Sequence, residues 1–227
     1  MSFLRFLATH LLKFAFRVLC QVDYGDSLER VPPRGPLILV ANHINFLDIP
    51  LLYTTLYPRR VAGLAKRETW KNPIVGFLLD LWGAIPVDRG RADFKAMSDA
   101  QRFLDSGGML AITPEGTRSG DGKLRRGRGG VVAIALHAGA AILPIGHSGL
   151  EHFWANAKAL RRTKVRVRVG EPFTIALGDE KFGHGLRAEV TDEIMREIAA
   201  LLPAANRGAY AEPDPEPRRR RYLRPAS

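Results

Sequence analysis

The chain has 227 residues, of which 46% are hydrophobic and 25% charged, a composition that suits one compact domain with a full core. Its single cysteine, Cys20, excludes an internal disulfide framework and a cysteine-based metal site, and favours a reducing compartment such as the cytoplasm. The formal net charge of +11 predicts attraction to an anionic partner, which leaves nucleic acid, an acidic carrier protein, a phosphorylated substrate and an anionic membrane surface open.

The first predicted element is an amphipathic helix within residues 1–22. Its apolar run is interrupted too often for a bilayer crossing, by Arg5, His10, Lys13 and Arg17. On a helical wheel these side chains share one side and most Leu, Ala and Val residues the other, which is typical of a helix lying in the lipid headgroup region. The alternative is a helix packed onto its own domain. We expect a peripheral (monotopic) protein on the cytoplasmic face of the cell membrane.

A single α/β domain is predicted over residues 23–203. Short buried strands are expected at 36–41, 60–65, 83–87, 109–113 and 141–145, and a half-exposed strand at 164–169. Helices are expected between and after them, at 49–57, 73–81, 91–105, 128–139 and 185–202. This alternation predicts a mixed, mostly parallel sheet flanked by helices. The Pro-rich, arginine-containing tail, residues 204–227, is predicted to be disordered.

The first of these strands is followed by a histidine and an aspartate, His43 and Asp48. Five residues at 3.6 per turn separate side chains by roughly 140°, so a turn rather than one helix must bring them together. With Pro50 in the first helical turn, Asp48 has the features of an N-cap, which places His43 in the loop between strand and helix. The pair suits a general base and its orienting carboxylate. The alternative is a capping Asp beside an ordinary loop His.

Cations follow three further strands, at Lys66, Arg89 and Arg118. If these strands are parallel, the three side chains reach one sheet edge and can converge on a phosphate. Any one of them alone is better explained as a solvated surface charge, and only the three together favour a phosphate site.

Together these segments resemble the glycerolipid acyltransferase family, and within it the 1-acylglycerol-3-phosphate acyltransferases that make phosphatidic acid. The resemblance covers roughly residues 30–150. It is carried by four blocks in order: Asn42-His43-x4-Asp48, Gly83-Ala84-Ile85-Pro86-Val87-Asp88-Arg89, Pro114-Glu115-Gly116-Thr117-Arg118-Ser119 and Ile142-Leu143-Pro144-Ile145.

The resemblance implies a role for each block. The first carries catalysis by His43 and Asp48, and the fourth, with Ile142 and Pro144, shapes the acyl-donor site. The second and third bind the glycerol phosphate, and with the lysine after the second strand the expected binding residues are Lys66, Arg89, Glu115, Gly116, Thr117 and Arg118. The acyl group comes from a thioester of coenzyme A or of acyl carrier protein, which is a co-substrate; we expect no other cofactor.

Three departures from the family pattern leave the acceptor open between 1-acylglycerol-3-phosphate and another lyso-lipid. Thr113 stands where many members have phenylalanine, Val87 and Asp88 precede Arg89, and residues 124–129 read Leu-Arg-Arg-Gly-Arg-Gly where relatives often carry Phe-Lys-x-Gly.

The expected reaction is direct transfer, in which His43 deprotonates the acceptor hydroxyl. The chain has no Gly-x-Ser-x-Gly elbow, so nothing requires a covalent acyl-enzyme. Glu115 is expected either to bind the glycerol or to hold Arg118, and the N–H groups around Gly116 to serve an oxyanion or a phosphate.

Two other function classes fit the charge. An RNA-binding module is suggested by the arginine-glycine segment, but residues 118–137 contain no aromatic side chain for base stacking, so we expect no nucleic-acid partner. A non-catalytic membrane-binding protein would keep the cations without needing His43. The remaining histidines lack metal-ligand spacing, and His147 is assigned a surface or packing role. The tryptophans, Trp70, Trp82 and Trp154, suit either an apolar substrate path or the core.

Overall fold

The structure is a computed structural model that describes residues 3–88, 93–178, 180, 183–212 and 221–226. Its strands in chain order are β1 (Cys20–Asp23), β2 (Leu37–Ala41), β3 (Val61–Lys66), β4 (Ile85–Val87), β5 (Met109–Ile112), β6 (Ala141–Ser148), β7 (Thr163–Val169), β8 (Phe173–Ile175) and β9 (Leu223–Pro225). Its α-helices are α1 (Phe3–Leu19), α2 (Asp48–Leu56), α3 (Pro73–Leu81), α4 (Phe94–Asp105), α5 (Gly130–Ala138), α6 (Phe153–Lys158) and α7 (His184–Ala200).

All nine of these strands join one sheet, whose main path runs β1-β7-β6-β2-β5-β3-β4. The central pairs, β2 with β5 and β6 and β3 with β4 and β5, are parallel, whereas β7 and β8 run antiparallel to β6 and β9 runs antiparallel to β8. The predicted α/β fold with a mixed, mostly parallel sheet is therefore confirmed. Because β2 to β5 all point the same way, the loops that follow them open at one edge.

Alternate residues of β2 belong to different cores, as the two-residue period of a strand requires. Ile38 and Val40 pack with helices α4, α5 and α7, whereas Leu37 and Leu39 pack with α1 and α2. Both faces of the central strand are thus buried, which explains why its sequence is a continuous apolar run.

Helix α1 turns Thr9 and Phe16 toward the domain and leaves an apolar stripe exposed. The exposed residues of this stripe recur at helical spacing: Leu4, Leu7, Leu11, Phe14 and Val18. None of the helices that the structure describes has the length and apolar character needed to cross a bilayer.

Two sequence expectations about organisation need correction, and three short elements were missed. The predicted boundary after residue 22 falls inside β1, because α1 ends at Leu19 and the chain enters the sheet at once by pairing with β7. The predicted disordered tail is in part ordered: residues 204–206 and 208–210 form 3-10 turns, and β9 pairs with β8 and buries Tyr222 and Leu223. Residues 213–220 of that tail lie outside the described residues. The short elements α6, β8 and β9 had no periodic signal long enough to predict them.

Candidate active site

The loop between β2 and α2 brings His43 and Asp48 into contact. Nδ1 of His43 lies 2.7 Å from Oδ2 of Asp48, and the side chain of His43 is 13% exposed while that of Asp48 is fully buried. With Nδ1 occupied by the carboxylate, the tautomer that donates from Nδ1 leaves Nε2 as the free base. The structure therefore brings together the two residues predicted to form the catalytic pair.

Asp48 does not cap α2, contrary to the sequence expectation. It is itself the first residue of the helix, and its Oδ2 accepts from the backbone N–H groups of Ile44 and Asn45, at 2.6 and 3.0 Å. The carboxylate is turned back toward the loop because those two N–H groups have no strand or helix partner. This geometry fixes the loop around the bond to His43.

Glu115, which follows β5, supports the loop between β2 and α2 and is 2% exposed. Its Oε1 accepts from the N–H of His43 at 2.6 Å and its Oε2 from the N–H of Arg125 at 2.9 Å. Desolvation by burial raises its pKa from 4.5 to about 7, against the lowering effect of these two bonds. Both oxygens accept from backbone N–H groups, so Glu115 holds two loops together. The sequence pattern had instead predicted that it binds the glycerol or holds Arg118.

The loop after β5, which also carries Glu115, makes further hydrogen bonds to the backbone of the loop that holds His43. The N–H of Ser119 donates to the carbonyl of His43 at 2.7 Å, and the N–H of Gly120 donates to the carbonyl of Ile44 at 3.1 Å. Gly116 has a φ of +67°, which favours glycine, and its N–H donates to the carbonyl of Thr113 at 3.0 Å. Gly116 therefore closes a turn, and its own N–H is used within that turn. That neighbouring N–H groups serve an oxyanion or a phosphate stays a prediction.

A cavity of about 1270 Å³ opens in front of His43. Lys66, Thr117 and Arg118 line it together with the histidine. The side chain of Lys66 is half exposed, and its Nζ lies 3.4 Å from Oε1 of Glu68. Arg118 is exposed. Two of the three predicted cations thus share a cavity with the candidate base, whereas Arg89 lies outside the described residues.

The remainder of the cavity wall is mainly apolar, with polar side chains at residues 68, 69, 71 and 72, and its apolar part was largely missed by sequence reasoning. The apolar part includes Leu12 of α1, Tyr53 of α2, Leu78 of α3 and Trp82, which follows α3. The Tyr53 ring stacks on Trp82 with centroids 5.3 Å apart, and burial raises the pKa of the Tyr53 hydroxyl. Of the three tryptophans considered from sequence, Trp82 lines this wall. The sequence could not assign it there, because a tryptophan in the core and one in a cavity wall have the same sequence pattern.

Ile142 and Pro144, predicted for the acyl-donor site, are buried in the centre of β6. They pair in register with Ile38 and Val40 of β2, and Ile142 joins the core beneath α4, α5 and α7. The cavity is built from the other face of the sheet, so the structure gives these two residues a packing role in place of the expected donor contact.

The arrangement combines a base that faces a cavity, cations beside it and an apolar wall. Such a site can take a proton from a hydroxyl on an amphiphilic, anionic molecule. Within the described part of the chain, no group of three or more His, Cys, Asp or Glu side chains is placed to hold a metal ion.

Comparison with known proteins agrees with this reading. The family profile described as Acyltransferase matches residues 26–148. The lyso-ornithine lipid O-acyltransferase of Pseudomonas aeruginosa is 37% identical over 132 residues, which are 57% of this chain and 49% of that protein. The chloroplastic 1-acyl-sn-glycerol-3-phosphate acyltransferase of Arabidopsis thaliana is 29% identical over 184 residues, 78% of this chain and 48% of that protein. The chain thus spans about half the length of these two relatives.

A solved structure is similar over most of its length. The crystal structure of the 1-acyl-sn-glycerophosphate acyltransferase PlsC from Thermotoga maritima matches with a TM-score of 0.61 and 26% sequence identity, covering 87% of this chain and 81% of that one.

Proposed function

The chain belongs to the Acyltransferase family, and on that premise we propose that it moves a fatty acyl group from a thioester to the free hydroxyl of a lyso-glycerolipid. The acceptor we propose is 1-acylglycerol-3-phosphate, which gives phosphatidic acid. The observation that carries this proposal is one cavity in which His43, Lys66 and Arg118 meet an apolar wall.

The proposed reaction begins at Nε2 of His43, which takes the proton of the acceptor hydroxyl. The oxygen attacks the thioester carbonyl, a C–O bond forms, the C–S bond breaks, and the imidazolium returns its proton to the departing thiolate. Asp48 stabilises the imidazolium through the 2.7 Å contact at Nδ1. Because Asp48 is fully buried and fixed by two backbone donors, this stabilisation needs no reorganisation.

The cations account for the phosphate of the proposed acceptor. Arg118 supplies paired donors and Lys66 a mobile charge on the cavity rim. Arg89 remains a proposed third cation on the strength of its place in the second block. The proposed donor is the acyl thioester of coenzyme A or of acyl carrier protein. The formal charge of +11 suits either carrier, because both are anionic.

Peripheral docking to the cytoplasmic face of the membrane is the proposed route to the substrates. The apolar stripe of α1 is exposed, and Leu12 of the same helix lines the cavity. Helix α3 adds exposed apolar side chains at Ile74 and Phe77, and its Val75 lines the same cavity. Docking of these faces in the headgroup region would open the cavity toward the acyl chains.

A second candidate acceptor is a lyso-ornithine lipid. It is favoured by the 37% identity to the Pseudomonas protein that bears this name. The departures at Thr113 and residues 124–129 leave the acceptor open without selecting one. The reaction at His43 would be the same, and only the headgroup contacts would differ.

The test is an assay of purified protein with a panel of lyso-lipids, each offered with acyl-coenzyme A and with acyl carrier protein thioester. Mass spectrometry of the lipid products identifies acceptor and donor together. We expect phosphatidic acid from 1-acylglycerol-3-phosphate. Product from lyso-ornithine lipid alone would select the second acceptor, and no acylated product from any pair would reject the enzymatic function.

His43→Ala is the matched control for this assay. Loss of a general base lowers turnover by about 10²- to 10⁴-fold, and we expect this decrease with little change in melting temperature, since the side chain of His43 lines the cavity. Turnover close to that of the unaltered protein would remove His43 from the mechanism.

A further inference from the structure

A second histidine, His147, lies behind the catalytic pair on β6 and its side chain is fully buried. Its backbone and the side chain of Asn42 bind each other reciprocally. Nδ2 of Asn42 donates to the carbonyl of His147, and the N–H of His147 donates to Oδ1 of Asn42, both at 2.9 Å. The residue before His43 is thereby tied to the neighbouring strand.

The imidazole of His147 adds a third contact to the same residue. Its Nε2 lies 3.0 Å from the backbone carbonyl of Asn42. A carbonyl only accepts, so the hydrogen must be on Nε2. This leaves Nδ1 as a buried acceptor without a hydrogen-bond partner in the described structure.

The same Nε2 faces Asp48. It lies 3.9 Å from Oδ1, the carboxylate oxygen that is buried without a hydrogen-bond partner among the described residues. The other oxygen, Oδ2, receives three donors, including Nδ1 of His43. At 3.9 Å this is not a hydrogen bond, but the Nε2–H dipole of His147 lies beside Oδ1 in buried surroundings, where a dipole acts strongly.

We propose that His147 is a positioning residue for His43 and Asp48. Its Nε2–H holds the carbonyl of Asn42 and so sets the backbone that leads into His43, while the same dipole keeps the buried Asp48 carboxylate in place. This inference rests on the proposed acyl transfer only for its kinetic consequence. The geometric consequence, the Nδ1–H···Oδ2 bond of His43, can be measured without turnover.

A packing role alone does not account for these contacts. An imidazole buried with one unpartnered nitrogen is less favourable than an aliphatic side chain of similar volume, unless its other nitrogen makes a contact that the fold requires. A leucine at position 147 would fill the space, but it would leave the carbonyl of Asn42 without its donor and remove the N–H dipole that lies 3.9 Å from Oδ1 of Asp48.

The experiment compares His147→Leu with His147→Gln in the full chain. Glutamine keeps an amide N–H near the position of Nε2, whereas leucine keeps only the volume. We expect His147→Leu to lower kcat by about 10²-fold, the scale of a misplaced reacting group, with KM for both substrates within about twofold of the original value. His147→Gln should recover most of kcat.

Proton NMR supplies the measurement that does not depend on activity. The hydrogen-bonded Nδ1–H of His43 should give a downfield resonance, assigned by its loss in His43→Ala. We expect it to persist in His147→Gln and to shift or broaden in His147→Leu, with circular dichroism showing that all variants are folded. An unchanged resonance in His147→Leu, or equal losses of kcat in both variants, would overturn the proposal. If the unaltered protein shows the resonance but transfers no acyl group, the proposed function fails and the NMR comparison still decides the role of His147.

Discussion

Individual side chains at the site divide between those that face the cavity and those that hold the loop. His43, Lys66, Thr117 and Arg118 line the cavity. Glu115 is buried and bonded to backbone donors. Substitution of a residue in the first group should therefore change the kinetics with substrate, whereas substitution of Glu115 should change the stability of the protein.

Arg118→Ala should raise the KM for the acceptor while leaving kcat little changed. A lost charge-assisted hydrogen bond costs about 1.5 to 3 kcal/mol, which is roughly a ten- to hundredfold rise in KM if the bond is equally strong in ground and transition states. Steady-state kinetics against lyso-lipid concentration measure the change. Arg102→Ala, at an exposed arginine on α4, is the matched control and should leave KM unaltered. Equal KM values for both variants would assign Arg118 to the protein surface.

Glu115 should make stability fall as pH rises from about 4.5 to about 7. Its pKa is raised to about 7 in the folded protein, so in this window the folded state holds more protons than the unfolded state, and the free energy of unfolding decreases with pH. Glu115→Gln has no titrating group there. Its melting temperature should fall less between pH 5 and pH 8 than that of the unaltered protein.

The control for this comparison is Glu68→Gln. The pKa of Glu68 is lowered, first by its own backbone N–H, so this carboxylate titrates below the window. Its replacement should leave the decrease between pH 5 and pH 8 unaltered. If the melting temperature of Glu115→Gln falls between pH 5 and pH 8 as much as that of the unaltered protein, burial does not raise the pKa of Glu115 as described.

Among the elements, the short terminal strand β9 completes the sheet on the side of β8. Leu223 pairs with Ile175 and is 1% exposed. The hydroxyl of Tyr222 hydrogen-bonds to the carboxylates of Glu180 and Glu189. Its backbone N–H donates to the carboxylate of Glu193. The end of the chain thus contributes to the core beneath α7.

Leu223→Ala should lower the free energy of unfolding by about 2 to 5 kcal/mol, the cost of emptying a buried leucine site. Urea titration followed by circular dichroism measures the change. Leu160→Ala is the matched control, because Leu160 is 95% exposed and its replacement should change stability by less than about 0.5 kcal/mol. If the two substitutions cost the same, β9 is not part of the cooperative core.

At the scale of the whole molecule, the proposed membrane surface combines the apolar stripe of α1 with a basic protein. The formal charge of +11 attracts the chain to anionic lipid, and burial of the stripe retains it there. Charge and apolar area should therefore contribute separately to binding.

Phe14→Asp should weaken vesicle binding by at least tenfold, because it removes a large apolar side chain, worth about 1.5 to 3 kcal/mol when buried, and adds a negative charge. Flotation with vesicles of phosphatidylcholine and phosphatidylglycerol measures the bound fraction. Phe94→Asp is the matched control, since Phe94 is 79% exposed on α4, which packs on the other face of the sheet. Binding should also fall as salt rises, because exposed charges are screened. Equal binding by both variants would place the docking surface elsewhere.

Most of the fold was predictable because its signals are local. The apolar runs at 36–41 and 109–113 became β2 and β5, and the helix expected at 73–81 is α3 with the same bounds. Residues His43 and Asp48, and the cations Lys66 and Arg118, could be named because parallel strands deliver their following residues to one edge. The three-residue strands β8 and β9 could not, since so short a segment has no measurable period.

The sequence by itself determined the alternating α/β order, the basic charge and the pairing of a histidine with an aspartate, because each depends on neighbours along the chain. Only the tertiary structure decided that Glu115 bonds to the backbone, that Ile142 and Pro144 lie in the core, and that His147 lies behind Asp48. The physical reason is that a polar atom's partner is set by which distant segments fold against it. His147 and Asn42 are 105 positions apart in the chain but share three contacts in space.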